Sequence, residues 1–326
     1  MKKIILFLTI ITLFLSGCAR STHETVFAMD TVMDLTLNDG DVIDTLTGEI
    51  ARLENIFSPT RDDSEVSRIN AHGGADVLSP DMQNALKKSM GYAAETGGAF
   101  DPTLDPLVKL WSHEAVPKRA DIADALVKCG YLNIKYDGTR LTLPRGGGLN
   151  LGGIAKGYTS DVLKKVLVDN SIKSAILSLG GNVVAHGSRS DGTPWVVGVA
   201  DPDGGANATL GTLRVSDKFV IASGDYERYF TQDGRRYHHI IDAHSGEPST
   251  SDLREAVIVC EDGAMGDAYS TALFVMGSTR AIEFWRAHNN FEMILVTKNH
   301  KVIVSKGLLD SFTLDNGGYS YETCAR

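Results

Sequence analysis

Cysteine is scarce in this sequence, and what there is forms no pattern. Besides Cys18 the chain carries Cys129, Cys260 and Cys324, an odd number with no Cys-x-x-Cys spacing, which argues against a disulfide framework or a metal knuckle. Positive charge is in deficit: 32 Lys and Arg stand against 41 Asp and Glu, a formal −9. Affinity for phosphate backbones rests on clustered Lys and Arg, so no nucleic-acid partner is expected. After residue 17 there is no second long apolar run, no internal repeat and no low-complexity tract. The fold must therefore rest on its own hydrophobic core, and the 309 residues after position 17 are ample for one large domain.

What the sequence does have begins with a leader. Lys2 and Lys3 precede an uncharged apolar stretch from Ile4 to Leu15, then Leu15-Ser16-Gly17-Cys18. The stretch is shorter than the roughly 20 helical residues that span a bilayer core, and small residues before Cys18 suit a peptidase. The pattern predicts a lipoprotein signal peptide over residues 1–17, removed to leave Cys18 as a lipid-modified N-terminus. The protein is then extracytoplasmic, anchored through Cys18 to a bacterial membrane on its periplasmic or cell-surface side. Loss of Lys2 and Lys3 takes the charge from −9 to −11. Residues 18–23 form a short tether and residues 24–326 one domain.

Within that domain, His23 to Leu37 reads as a strand rich in β-formers. Helices follow over Asp41–Phe57, whose apolar residues recur at helical spacing, and Ser79–Glu95, opened by Ser79-Pro80 and closed by Gly97-Gly98. A shorter helix is expected over Asp121–Cys129. Strands then become frequent: Leu141–Leu143, Ala175–Ala185, Trp195–Ala200, Thr209–Val215, Phe219–Ala222, Tyr237–Ile241 and Arg254–Cys260. Helices are expected near Ile154–Val168, Ala264–Met276 and Thr279–His288, with closing strands at Glu292–Val296 and Lys301–Val304. Long connections between mixed strands and helices favour an α+β architecture over a doubly wound parallel sheet.

Four segments carry chemistry. In Gly146–Tyr158, glycines ahead of a helix let backbone amides approach a ligand, and the helix N-terminus favours an anion; the same glycines also serve as plain punctuation. Lys156 inclines the segment toward anion binding, although Gly157 after it rules out a Walker A loop. In Met265–Gly277, Asp267 and Thr271 lie four apart on one helix face, where a carboxylate and a hydroxyl address one ion together; oxygen donors suit Mg²⁺, and the alternative is that Asp267 caps its helix. In Tyr237–Pro248, His239 and Asp242 are site candidates, and a zinc pair of His239 with His244 is disfavoured for want of a third ligand. In Gly97–Thr103 a double glycine leads Phe100 and Asp101 into a proline-fixed turn, which equally serves to end a helix.

Taken in order, these segments resemble the ApbE family, the FAD:protein FMN transferases. The resemblance is carried by Ala28-Met29-Asp30-Thr31, Ser64-Glu65-Val66-Ser67-Arg68-Ile69-Asn70, Gly97–Thr103, Leu151–Tyr158, Ser178-Leu179-Gly180-Gly181-Asn182, His239–Gly246 and Asp267–Thr271. It implies a single T-fold-like, FAD-binding α+β domain with mixed or antiparallel sheets and packed helices. It implies Mg²⁺-dependent transfer of FMN from FAD to a Thr or Ser hydroxyl of a target redox protein, with release of AMP. By the same resemblance the metal takes the Gly153 carbonyl, Asp267 and Thr271. The FAD pocket takes Met29, Thr60, Ala99, Phe100, Asp101, Asn150, Lys156 and Ile241, and His239 handles a proton or contacts phosphate. Three positions depart from the family pattern: Asp30 replaces a glycine, Asn150 an Asp, and Thr60 a frequent Tyr. Asn150 brings no charge and cannot act as a base. Variation at the position of Thr60 accompanies a shift to hydrolysis of FAD to FMN and AMP, which makes an FAD pyrophosphatase the nearest competitor. A non-catalytic flavin-binding lipoprotein is the remaining alternative.

Overall fold

A computed structural model describes residues 21–205 and 208–326; the expected leader and Cys18 lie outside the described residues. Nine strands form the main sheet, and they sit side by side in chain order: Thr22–Ala28, Thr31–Leu37, Ser174–Ser178, Asn182–Gly187, Lys218–Gly224, Leu253–Cys260, Phe291–Thr297, Lys301–Ser305 and Ser320–Cys324. Neighbours run antiparallel except the last pair, which is parallel. The excursion between Leu37 and Ser174 supplies most of the helices. A three-stranded sheet, Phe312–Leu314 beside Thr209–Val215 beside Trp195–Ala200, covers one face of the main sheet through Trp195, Leu213, Val257 and Ile294. Helices cover the other. The result is the α+β fold with packed helices and mostly antiparallel sheets that the pattern of elements predicts.

The helix from Gly263 organises that second face. Met265, Tyr269 and Leu273, four apart, pack on the sheet with Leu177, Ile221 and Ile258. Ala264, Ala268 and Ala272, also four apart, face a second helical layer that holds Leu53, Phe57, Leu86 and Ile154. Large residues toward the sheet and alanines toward the helices let it sit buried between two layers. Its segment Gly263–Ala287 is broken at Gly277 (φ 78°, ψ 167°), where Ser278 N–H and Oγ both donate to Asp252. Two successive helices were expected here, and Gly277 is where they part.

Two expected strands are hairpins. His23–Leu37 reverses at Met29-Asp30, both left-handed with φ of 50° and 58°, and Phe27 then pairs with Val32. Such a two-residue turn is normally announced by Asn-Gly, so a Met-Asp pair gave no signal. Ala175–Ala185 reverses at Gly180-Gly181, also left-handed, between strands whose apolar character continues on both sides. Helices at Glu65–His72 and Asp105–Trp111 and strands at Tyr229–Gln232, Phe312–Leu314 and Ser320–Cys324 were not anticipated. The helix expected over Asp121–Cys129 runs from Arg119 to Leu126. Cys129, Cys260 and Cys324 are buried free thiols.

One buried acid makes stability depend on pH. Glu255, on the sheet face opposite the helices, is 1% exposed and accepts a 2.5 Å hydrogen bond from the Tyr226 hydroxyl. Burial pushes its carboxyl from 4.5 up to about 8, reinforced by Glu227, Asp201 and Asp225. The folded chain therefore holds a proton that the unfolded chain releases near pH 4.5, so this contribution is complete below pH 4.5 and is lost as pH rises through about 8. Chemical denaturation of wild type and Glu255→Gln at several pH values tests this. The variant's stability should fall less steeply between pH 5 and 8; parallel profiles would contradict the assignment.

Candidate active site

A solvent-open pocket lies where the helical layers meet the C-terminal end of the strand Lys218–Gly224. Its floor is set by two helices that cross closely. Gly157, in the first turn of the Ala155–Asp169 helix, lies so near Gly263 that a Cβ there would stand 2.2 Å from the Gly263 carbonyl oxygen and 2.6 Å from Asp267 Cβ. No side chain caps that helix from its own N-cap, Ile154. Instead Gly157 N–H donates to Asp267 Oδ2 at 2.8 Å. Asp267 thus satisfies a first-turn amide of a neighbouring helix, one of the donors that lack intrahelical partners. Its own helix is capped by Asp262, which accepts from Met265 N–H at 2.8 Å, so the simple-cap reading of Asp267 is replaced by a cap in trans.

Asp267 is 4% exposed, and burial pushes its carboxyl above the ordinary range against the opposing pull of Lys156, the Gly157 amide and Asn182. A cation beside it would favour the charged form. Thr271 lies one turn further along, its Oγ1 3.4 Å from Ser223 Oγ, and Ser223 in turn lies 2.8 Å from Ser270 Oγ. A Cβ on Gly153 would fall 3.5 Å from Thr271 Oγ1, so the Gly153 backbone adjoins the same spot. A buried carboxylate and a hydroxyl beside the Gly153 backbone are hard oxygen donors of the kind that suit Mg²⁺. Among the described residues no group of three or more His, Cys, Asp or Glu is placed to hold a metal ion. His244 Nδ1 lies 3.2 Å from Asp242 Oδ1 within its own turn.

The remaining candidates line the same pocket except Asp242, whose Oδ1 is taken up by His244 in its own turn. Lys156 is the second residue of its helix, within the first turn. Asn150 accepts from Gly152 N–H at 3.0 Å, holding the glycine turn closed. Phe100 packs against Gly153, Ile241 is a buried apolar part of the wall, and Met29 N–H donates to Glu54 at 2.6 Å. Thr60 sits on the exposed rim, its hydroxyl 3.1 Å from Ser58 Oγ. Asp101 borders the pocket with its oxygens already engaged: Oδ1 accepts from the Thr103 amide and hydroxyl, and Oδ2 from Tyr131 N–H. Its evident work is to hold the turn beside Ala99 and Phe100.

The adjacent histidines divide. His238 is buried, stacks edge-on against Phe274, and takes Ile240 N–H on Nδ1 while Nε2 donates to the Ser249 carbonyl. His239 faces the pocket, open to water there and walled by protein elsewhere. Its Nδ1 lies 3.3 Å from the Arg228 carbonyl, which assigns the proton to Nδ1 and leaves Nε2 as an acceptor. Those walls, with the positive charges of Arg228 and Lys156, hold its imidazole well below the ordinary value, in the neutral form. Ser223, Glu227 and Arg228 also line the pocket and escaped the sequence reading. The only local signal was an apolar strand ending in Ala222-Ser223-Gly224 with a charged pair shortly after.

The model of the ApbE family matches residues 29–295, which include every residue lining this pocket. The chain belongs to the ApbE family. It is 32% identical over 279 residues to the FAD:protein FMN transferase of Treponema pallidum, covering 79% of this chain and 77% of that one. A protein of the same description from Klebsiella pneumoniae is 32% identical over 284 residues, with 84% and 88% covered. Among solved structures, the ApbE protein of Thermotoga maritima superposes with a TM-score of 0.82 at 30% identity, over 88% of this chain and 98% of that one. The Pseudomonas stutzeri flavinyl transferase ApbE, in its apo form, gives 0.75 at 28% identity, over 86% and 92%.

The helix crossing of this ApbE chain leaves no room for a side chain at Gly157. A methyl group at Gly157 meets backbone and Asp267 Cβ, neither of which is a flexible tip. Gly157→Ala should cost about 1–3 kcal/mol as overpacking and lower the melting temperature measurably. An unchanged melting temperature would show that the helices do not cross this closely.

Proposed function

We propose that this protein transfers FMN from FAD, with Mg²⁺, to a Thr or Ser hydroxyl of an extracytoplasmic redox protein, releasing AMP. The observation that supports it most is convergence: motifs as far apart in sequence as Met29 and Thr271 line one pocket in a chain of the ApbE family, with a buried carboxylate at its floor. In this reading Met29, Thr60, Ala99, Phe100, Asp101, Asn150 and Ile241 wall the flavin nucleotide, while Lys156 and the first turn of its helix receive the pyrophosphate. Gly153, Asp267 and Thr271 hold the metal ion. When bound, Mg²⁺ offsets charge on the pyrophosphate oxygens.

The chain's own residues supply the rest of the chemistry. Neutral His239 accepts the proton of the acceptor hydroxyl on Nε2 as that oxygen bonds to the FMN phosphorus. The bond from that phosphorus to the bridging oxygen breaks, and AMP departs with the oxygen. Lys156 and Arg228 stabilise the charge that gathers on the phosphoryl oxygens. Lipid attachment at Cys18 belongs to the same proposal and holds the pocket near the membrane. Among the described residues no helix is long and apolar enough to cross one.

Thr60 favours a second reading. A small side chain tied to Ser58 at the rim offers no aromatic surface to cover the nucleotide, which leaves room for water as the acceptor. FAD, Mg²⁺ and a peptide with an Asp-Gly-x-x-Ser/Thr-x-Thr motif separate the two, with products identified by mass. A peptide heavier by one FMN residue supports transfer, and free FMN with AMP and no adduct supports hydrolysis. Asp267→Ala should slow whichever reaction occurs by on the order of a hundredfold or more; an unaltered rate would overturn the metal assignment.

A further inference from the structure

Asn182, the first residue of the strand Asn182–Gly187, is a buried polar residue that the proposed reaction does not use. Asn182 is 1% exposed, and neither its Nδ2 nor its Oδ1 has a hydrogen-bond partner in the protein. A carboxamide buried this deeply without partners is unusual, because such groups are nearly always satisfied by protein, water or ion.

Strand register shows where it points. Asn182 lies directly opposite Ile221 in the antiparallel pair, so the two side chains leave the sheet on the same face. Ile221 and Val184, two residues beyond Asn182, both belong to the core under the Gly263 helix, and a Cβ on Gly266 would touch the Ile221 side chain. Ser223, two residues along from Ile221, reaches Ser270 and Thr271 from that same face. Asn182 therefore stands beneath Asp267, Ser270 and Thr271, in a buried patch of oxygen and amide groups.

We infer that Asn182 is a positioning residue for the divalent-cation site: Nδ2 steadies the Asp267 carboxylate, and Oδ1 receives a hydrogen from a water bound to the cation. The inference rests on the proposed reading of Gly153, Asp267 and Thr271 as metal donors. Partners outside the first ring of ligands orient that ring, and their loss typically weakens metal binding ten- to a hundredfold.

The test is Mn²⁺ affinity, followed by electron paramagnetic resonance, in wild type, Asn182→Leu, Asn182→Ser and Asp267→Asn, with melting temperatures recorded without metal. Leu replaces the amide at similar volume. Asn182→Leu should retain a cooperative melting transition without metal, while Mn²⁺ affinity falls ten- to a hundredfold. Should it fail to fold, Asn182→Ser, which keeps a small donor and leaves space for water, must show weakened Mn²⁺ binding. If Asp267→Asn loses Mn²⁺ while the folded Asn182 variant binds like wild type, the role of Asn182 is overturned and the metal reading stands. If Asp267→Asn also binds like wild type, the metal reading falls, and the Asn182 proposal with it.

Discussion

The hydrogen bond from Gly157 N–H to Asp267 Oδ2 is the constraint on which the rest of the site depends. It joins two helices that must approach to backbone contact, which Gly157 and Gly263 permit and which Ala264, Ala268 and Ala272 continue along one face. The same bond fixes a buried carboxylate at the end of a helix whose first turn also presents Lys156. Positive helix end, lysine and carboxylate thus share one corner, and burial raises the energetic stakes of each charge. The proposed binding of an anionic nucleotide with a counter-cation draws on that arrangement.

Around this corner the pocket is assembled from elements that each solve a local folding problem first. Asp101 holds a turn that presents Ala99 and Phe100. Asn150 closes the glycine turn ahead of the Lys156 helix. His238 anchors a strand end by its hydrogen bond to Ser249, and so leaves its neighbour His239 turned to the pocket with its Nδ1 beside the Arg228 carbonyl. The buried histidine fixes the strand end from which the other reaches the pocket. The strained Met29-Asp30 turn brings the first hairpin to the pocket edge, with Met29 held by Glu54.

Much of this was legible in the sequence because glycines, prolines and polar residues at a site are chosen for local geometry. The break between two helices at Gly277, the Ser79 cap and the glycine turn before Lys156 could be read directly, and the pocket gathers the residues that the family resemblance implied. What could not be read depends on contacts distant in sequence. Asp267 looked like a cap for its own helix because its true partner lies 110 residues away. The reversal at Met29-Asp30 left no trace, since β-forming residues continue on both sides and the turn lacks Asn-Gly. Arg228 and Ser223 stand out only once the strand Lys218–Gly224 is placed beside the helix from Gly263. Asn182 carries no sequence signal of being unpaired.

The claim that binds these observations together is that Gly153, Asp267 and Thr271 hold a cation against the pyrophosphate of FAD. Anomalous scattering from a crystal grown with Mn²⁺ and FAD tests it most directly. The account predicts a single strong Mn²⁺ peak between the Gly153 carbonyl, the Asp267 carboxylate and Thr271 Oγ1, with FAD phosphate oxygens completing the shell beside Lys156. FAD bound in the pocket with no peak at that position would contradict it.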